Sequence, residues 1–269
     1  MEYERGDSML TCEDVIQCLE DLFPTGFAES WDNVGLIIGR REKPVYSVML
    51  CVDVTEKVID QAIKAGISMI VSHHPLIFSG EKRITNENCF GTRLLNLIQA
   101  DICVYAMHTN FDVIGMADAA AERLGLLDTQ VLKVTYEDEI ATEGIGRIGK
   151  LKAAMTLEEI ALLTKEVFKV PNVKVFGDPD HICCEVAVCP GAGKSVVNDV
   201  LRTGADVYIT GDIDHHTGID LVAQGVCVID AGHYGVEKLF VPYVHDCFSK
   251  IMPECEVVEA VEEEPFWVL

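Results

Sequence analysis

Ala65-Gly66-Ile67-Ser68-Met69-Ile70-Val71-Ser72-His73-His74 leads out of an amphipathic stretch, through an apolar run, and stops on two histidines. That order is a helix end, a buried strand and a polar loop, the repeating step of an α/β fold. Thr203-Gly204-Ala205-Asp206-Val207-Tyr208-Ile209-Thr210-Gly211-Asp212 follows the same plan. The next step is also repeated: Ala100-Asp101-Ile102-Cys103-Val104-Tyr105-Ala106-Met107-His108 echoes Gln224-Gly225-Val226-Cys227-Val228-Ile229-Asp230-Ala231-Gly232-His233. Two echoes in the same order predict an α/β chain of two related lobes with mostly parallel sheets. The lobes are expected over residues 1–126 and 127–269.

Working outward, strands are expected at Ser47–Val54, Ser68–Ser72, Ile102–Met107, Cys184–Cys189, Asp206–Thr210 and Val226–Asp230. Amphipathic stretches at Thr55–Ala65, Thr92–Gln99, Met116–Leu124, Leu157–Phe168, Ser195–Arg202 and Ile219–Gln224 have the length of crossover helices between parallel strands. Residues 127–150 read as a polar connection or the start of the second sheet. The acidic stretch Glu256–Glu264 is interleaved with valines and reads as a final strand or a solvated end.

The 269 residues carry a formal net charge of −23, a field that repels phosphate backbones and anionic lipid, so no nucleic acid and no membrane partner is expected. No apolar run reaches membrane-spanning length. The acidic start Met1-Glu2-Tyr3-Glu4-Arg5 is not followed by a signal-peptide core, which makes the cytoplasm the expected location. Eleven cysteines, with no Cys-x-x-Cys pair and no regular spacing, read as reduced thiols rather than a disulfide framework or a metal set.

Three clusters carry metal-ligand chemistry, and each follows a predicted strand. Ser72-His73-His74-Pro75 places two imidazoles where a strand ends, the one position at which adjacent side chains can share a site. His108-Thr109-Asn110-Phe111-Asp112 brings a short carboxylate able to bridge two cations. Gly232-His233-Tyr234-Gly235-Val236-Glu237 spaces His233 and Glu237 one helical turn apart. Taken singly, these are also the marks of a hydrogen-bonded His pair, a turn and a surface ion pair. Together they sit where open α/β sheets collect ligands, with a metal site between the lobes at strand carboxyl ends. Several imidazoles and two carboxylates exceed one tetrahedral site, which favours two divalent ions held by His73, His74, Asp112, His233 and Glu237. Zinc, iron, manganese and nickel all suit such mixed ligands.

Gly211-Asp212-Ile213-Asp214-His215-His216 follows another strand and offers His216 as an acid–base group or a solvated loop histidine. Gly191-Ala192-Gly193-Lys194-Ser195 ends like a phosphate-binding loop, but Val188 stands where its first glycine is required. It is a tight turn whose helix N-terminus could still meet an anion.

These motifs, with Ser30-Trp31-Asp32-Asn33-Val34-Gly35-Leu36, Ser72-His73-His74-Pro75-Leu76-Ile77-Phe78 and Ala231-Gly232-His233-Tyr234-Gly235-Val236-Glu237, resemble the Nif-three-like dinuclear-metal-centre proteins. That family is also described as type 2 homologues of GTP cyclohydrolase I. The resemblance implies a toroidal homohexamer and two metals on residues matching His73, His74, Asp112, His233 and Glu237. It also implies a hydrolase that opens the purine ring of a nucleotide, with formate lost from C8 of GTP. His108 or His216 would then move protons. The chain is too short for the large insert of longer members. A metallohydrolase acting on a phosphoester or another C–N bond would use the same ligands, as would a non-catalytic metal-binding scaffold.

Overall fold

A computed structural model of the chain describes residues 9–269. The N-terminal segment read above for a signal peptide lies outside the described residues. Eleven strands form among the described residues. They are β1 (Gly35–Ile38), β2 (Ser47–Cys51), β3 (Met69–Ser72), β4 (Cys103–Ala106), β5 (Leu127–Glu137), β6 (Thr142–Thr156), β7 (Lys174–Phe176), β8 (Ile182–Ala192), β9 (Val207–Gly211), β10 (Cys227–Asp230) and β11 (Glu256–Glu259). No helix among them is long and apolar enough to cross a membrane.

Two compact units result among the described residues, one of residues 9–110 with 240–263 and one of residues 111–239 with 264–269. The chain changes unit at Asn110–Phe111 rather than at residue 126, and the helix Phe240–Ile251 and β11 return to the first unit. The physical reason is β11, whose backbone pairs in parallel with β2, Val257 opposite Val48.

The first unit holds a sheet in the order β1-β4-β3-β2-β11, parallel except for β1 against β4. Strands β2, β3 and β4 are buried along their whole length, as expected of strands covered on both faces. The helix Glu56–Ala65 crosses between β2 and β3; Thr55 caps its start by accepting from Val58 N, and its inner side chains Val58, Ile59 and Ala62 are buried. The helix Cys12–Leu22, absent from the sequence reading, opens on a capping box between Thr11 and Asp14.

The second unit holds a sheet in the order β5-β6-β8-β9-β10-β7. Only β8/β9 and β9/β10 are parallel; β5/β6, β6/β8 and β10/β7 are antiparallel, so this sheet is not mostly parallel. The cause is the stretch 127–156, which forms the long β5–β6 hairpin and adds two antiparallel strands at one edge. The echo seen in sequence has a topological counterpart. The order β1-β4-β3-β2 matches β7-β10-β9-β8 strand for strand, each with three parallel strands and one short antiparallel strand.

Candidate metal centre

In the first unit the chain keeps extended geometry past β3: His73 N donates to Cys51 O and His74 N to Val52 O. The Ser72 hydroxyl then donates to His74 O, which turns the chain into Pro75. Both imidazoles thereby lie on one side despite being neighbours, with ring centroids 5.0 Å apart. His108, just past β4, joins them at 5.3 Å from His73 and 5.5 Å from His74. One ligand nitrogen from each of the three lies within 4.8 Å of the others. His73 is fully buried and packs against Phe240.

Each ring is fixed through Nδ1. His73 Nδ1 is 2.9 Å from Met107 O, His74 Nδ1 is 2.9 Å from Asp53 Oδ1, and His108 Nδ1 is 2.9 Å from Asp32 Oδ1. A carbonyl or carboxylate oxygen accepts, so Nδ1 carries the proton and Nε2 becomes the lone-pair nitrogen. This is the usual way a protein orients imidazoles toward a metal.

Asp32 is the residue the sequence reading left without a role. Its side chain is 0% exposed. Burial by itself would raise its pKa, but hydrogen bonds from His108 and from Thr109 N and Oγ1 outweigh that and hold the carboxyl down to about 2.

In the second unit His233 opens the short helix His233–Glu237, with Nδ1 2.9 Å from Asp212 Oδ2 and Nε2 3.0 Å from Glu237 Oε2. Glu237 is buried, so this is not the surface ion pair that the spacing also allowed. Nε2 of His233 and Oε2 of Glu237 thereby stand side by side as an imidazole–carboxylate pair, donor types that suit a divalent cation. The backbone makes room for that carboxylate at Gly191, where a Cβ would stand 2.2 Å from Glu237 Oε1. Asp112 begins a turn of π-helix, Asp112–Met116, a conformation enriched at functional sites. The buried Arg147 guanidinium holds this turn through Val113 O and both oxygens of Asp118. Asp112 and Glu237 both act on Cys189, whose thiol is pushed up to about 12 by burial and then by their charge.

His216 lies on the exposed face of the helix His215–Ala223 beside His215 and belongs to no ligand group among the described residues. The glycine turn at Gly193 spends its N–H on Thr210 Oγ1, and Lys194 pairs with Asp214, so this loop makes no phosphate cradle here. The Asp32, Asp53 and Asp212 partners were missed because each lies far along the chain from, or on a different element than, the histidine it holds. Asp32, inside the quoted Trp31-Asp32-Asn33 motif, and Asp212, inside the quoted Gly211-Asp212-Ile213 stretch, left a signal; Asp53 left none.

The oriented imidazole nitrogens of the first unit and the imidazole–carboxylate pair of the second are, each by itself, donor types that suit divalent transition metals. A GTP cyclohydrolase 1 type 2 homolog of Clostridium acetobutylicum is 36% identical over 230 residues, 85% of each chain. A NIF3 homolog of Schizosaccharomyces pombe is 37% identical over 235 residues, 82% of each chain. The crystal structure of a Bacillus cereus protein related to NIF3 superposes with a TM-score of 0.93 at 26% identity, covering 98% of this chain and 100% of that one. The profile of the Duf34/NIF3 (NGG1p interacting factor 3) family matches residues 10–265, nearly everything described above, and the chain belongs to that family.

Proposed function

We propose that this chain is a metal-dependent hydrolase that opens the purine ring of a nucleotide, with GTP the first substrate to test, and that His73, His74, Asp112, His233 and Glu237 hold two divalent ions. The observation that carries the reading is the common lock on Nδ1 of His73, His74 and His108, which leaves each Nε2 as the lone-pair nitrogen. The name of the Clostridium relative supports the choice of GTP. Metal ions bound there would lower the pKa of water toward neutrality and supply a nucleophile.

The chain's own groups do the remaining work. His108 takes or gives a proton at Nε2, because its Nδ1 is committed to Asp32, and the Asp32 carboxylate stabilises the imidazolium that forms. His216, exposed on its helix, is the reserve acid–base group. Hydrolysis at C8 would release that carbon as formate. Eleven free cysteines suit a reducing compartment, and we assign the chain to the cytoplasm.

The test is to incubate metal-loaded protein with GTP while following formate and the fluorescence of the oxidised pterin product. Activity should vanish with chelator, return with metal and fall strongly in Glu237→Ala. Metal-replete protein that consumes no GTP ends the cyclohydrolase reading and directs the search to other nucleotides and phosphoesters.

A further inference from the structure

Trp31 and Phe78 are large aromatic side chains left 62% and 57% exposed. Neither has a core to fill, yet both border the same imidazole. Trp31 meets the His108 ring edge-to-face at 5.9 Å and 77°, and Phe78 meets it at 5.8 Å and 87°. The two segments that carry them are tied together, since Asn33 Nδ2 donates to Ile77 O at 2.6 Å. Asp32, between Trp31 and Asn33, is anchored on His108 and twice on Thr109. Its own N–H donates to Glu29 O. The aromatic pair is therefore held on a fixed frame before any ligand arrives.

We propose that Trp31 and Phe78 form a seat for the planar nitrogen heterocycle of the substrate, a purine base in the first instance, beside the His73–His74–His108 group. The proposal rests on the hydrolase reading above and supplies the base recognition that the ligand set does not. Exposed aromatic faces bind planar rings by stacking, and do so without regard to a phosphate tail. That fits a chain whose net charge of −23 is unfavourable to anions away from a metal. A ring seated there lies next to the imidazole that would move its protons. Rigid mounting also lowers the ordering cost of binding.

Trp31 and Trp267 are the two tryptophans of the chain, so a Trp267→Phe protein reports on Trp31 alone. Metal-loaded full-length protein with this change is titrated with guanosine, GTP and inorganic tripolyphosphate. Guanosine and GTP should quench the emission saturably, and tripolyphosphate should not. By equilibrium dialysis against labelled guanosine, Trp31→Ala and Phe78→Ala should each weaken binding about 5- to 100-fold, the range set by stacking of one base. Trp31→Phe should recover most of the affinity, with metal content equal in all variants. Unchanged emission with both guanosine and GTP overturns the proposal, as does equal quenching by tripolyphosphate or unaltered dialysis in both alanine variants. Dissociation of an oligomer in those variants, seen by light scattering, overturns it too, because the pair would then be a contact between copies. Guanosine binding without formate release refutes the hydrolase reading and leaves the seat standing. Formate release unaffected by Trp31→Ala and Phe78→Ala does the reverse.

Discussion

Adding a single methyl group at Gly211 should uncouple His233 from metal binding. A Cβ at this position would lie 2.6 Å from His233 N and 2.8 Å from both Gly232 C and His233 Cα, all backbone atoms that cannot swing aside. Ordinary contact begins near 3.5 Å, so the start of the His233–Glu237 helix must retreat by about 0.9 Å. Metal–ligand distances tolerate only about ±0.2 Å. Overpacking of this kind costs about 1–3 kcal/mol, and each 1.4 kcal/mol lost from the binding-competent arrangement weakens affinity about tenfold. Gly211→Ala should therefore bind zinc about 5- to 150-fold more weakly in a competition titration against a chelating dye. The metal-free protein should also unfold at lower urea. Gly26→Ala is the control, because its Cβ would meet nothing within 4 Å and its φ is ordinary; both readouts should stay near those of the parent. If Gly211→Ala loses stability yet keeps full zinc affinity, His233 is not a ligand. If it loses neither, the steric argument itself is wrong.

Asp112→Ala should lower metal occupancy, measured by elemental analysis from a parent value near two equivalents per chain, more than His216→Ala does. Full occupancy in the Asp112 variant would remove that carboxylate from the ligand set. Burial pushes the Cys183 thiol up to about 12 from 9.0. The unfolded chain therefore ionises first, and the stability contributed by the neutral thiol is lost as pH rises from about 9 toward 12. Thermal midpoints should fall less steeply over that range in Cys183→Ala than in the parent, and parallel slopes would refute the assignment. Light scattering should give about six times the monomer mass, following the family's expected ring assembly; a monomer that persists at micromolar concentration would contradict it.

The strands that lead to the candidate ligands were legible because burial on both faces makes them near-continuous apolar runs ending in polar residues, as at Met69–Ser72 and Cys227–Asp230. Strands β1 and β7 were not, since both are short and only partly buried, so neither shows a continuous buried run. The β5 strand hid for another reason: most of its side chains are exposed, so nothing alternates. The Cys12–Leu22 helix had a usable signal in Thr11-x-x-Asp14 that composition outside the motifs obscured. Ligand types could be read in the motifs, but their orienting carboxylates could not. Asp32 lies 76 residues from the histidine it holds, and no local rule connects them. The π-turn at Asp112 follows from Arg147 and from Phe111, whose ring leaves no room for a Cβ at Gly115, and neither is visible in a local window.

The first sheet is closed by the last strand. Glu262 near the C-terminus accepts from Val52 and Asp53 at the end of β2, 209 residues away, and β11 covers the edge of β2. On a ribosome adding about 5–20 residues per second, β2 waits roughly 10–40 s for that partner. Residues 111–239 are contiguous and can close first, although the chain makes them second. During the wait β2 presents an unpaired apolar edge, the kind of edge that recruits foreign strands. A chain released before Glu256 keeps that edge open for good, so for this protein such premature termination is a route to aggregation rather than to a slightly shorter fold.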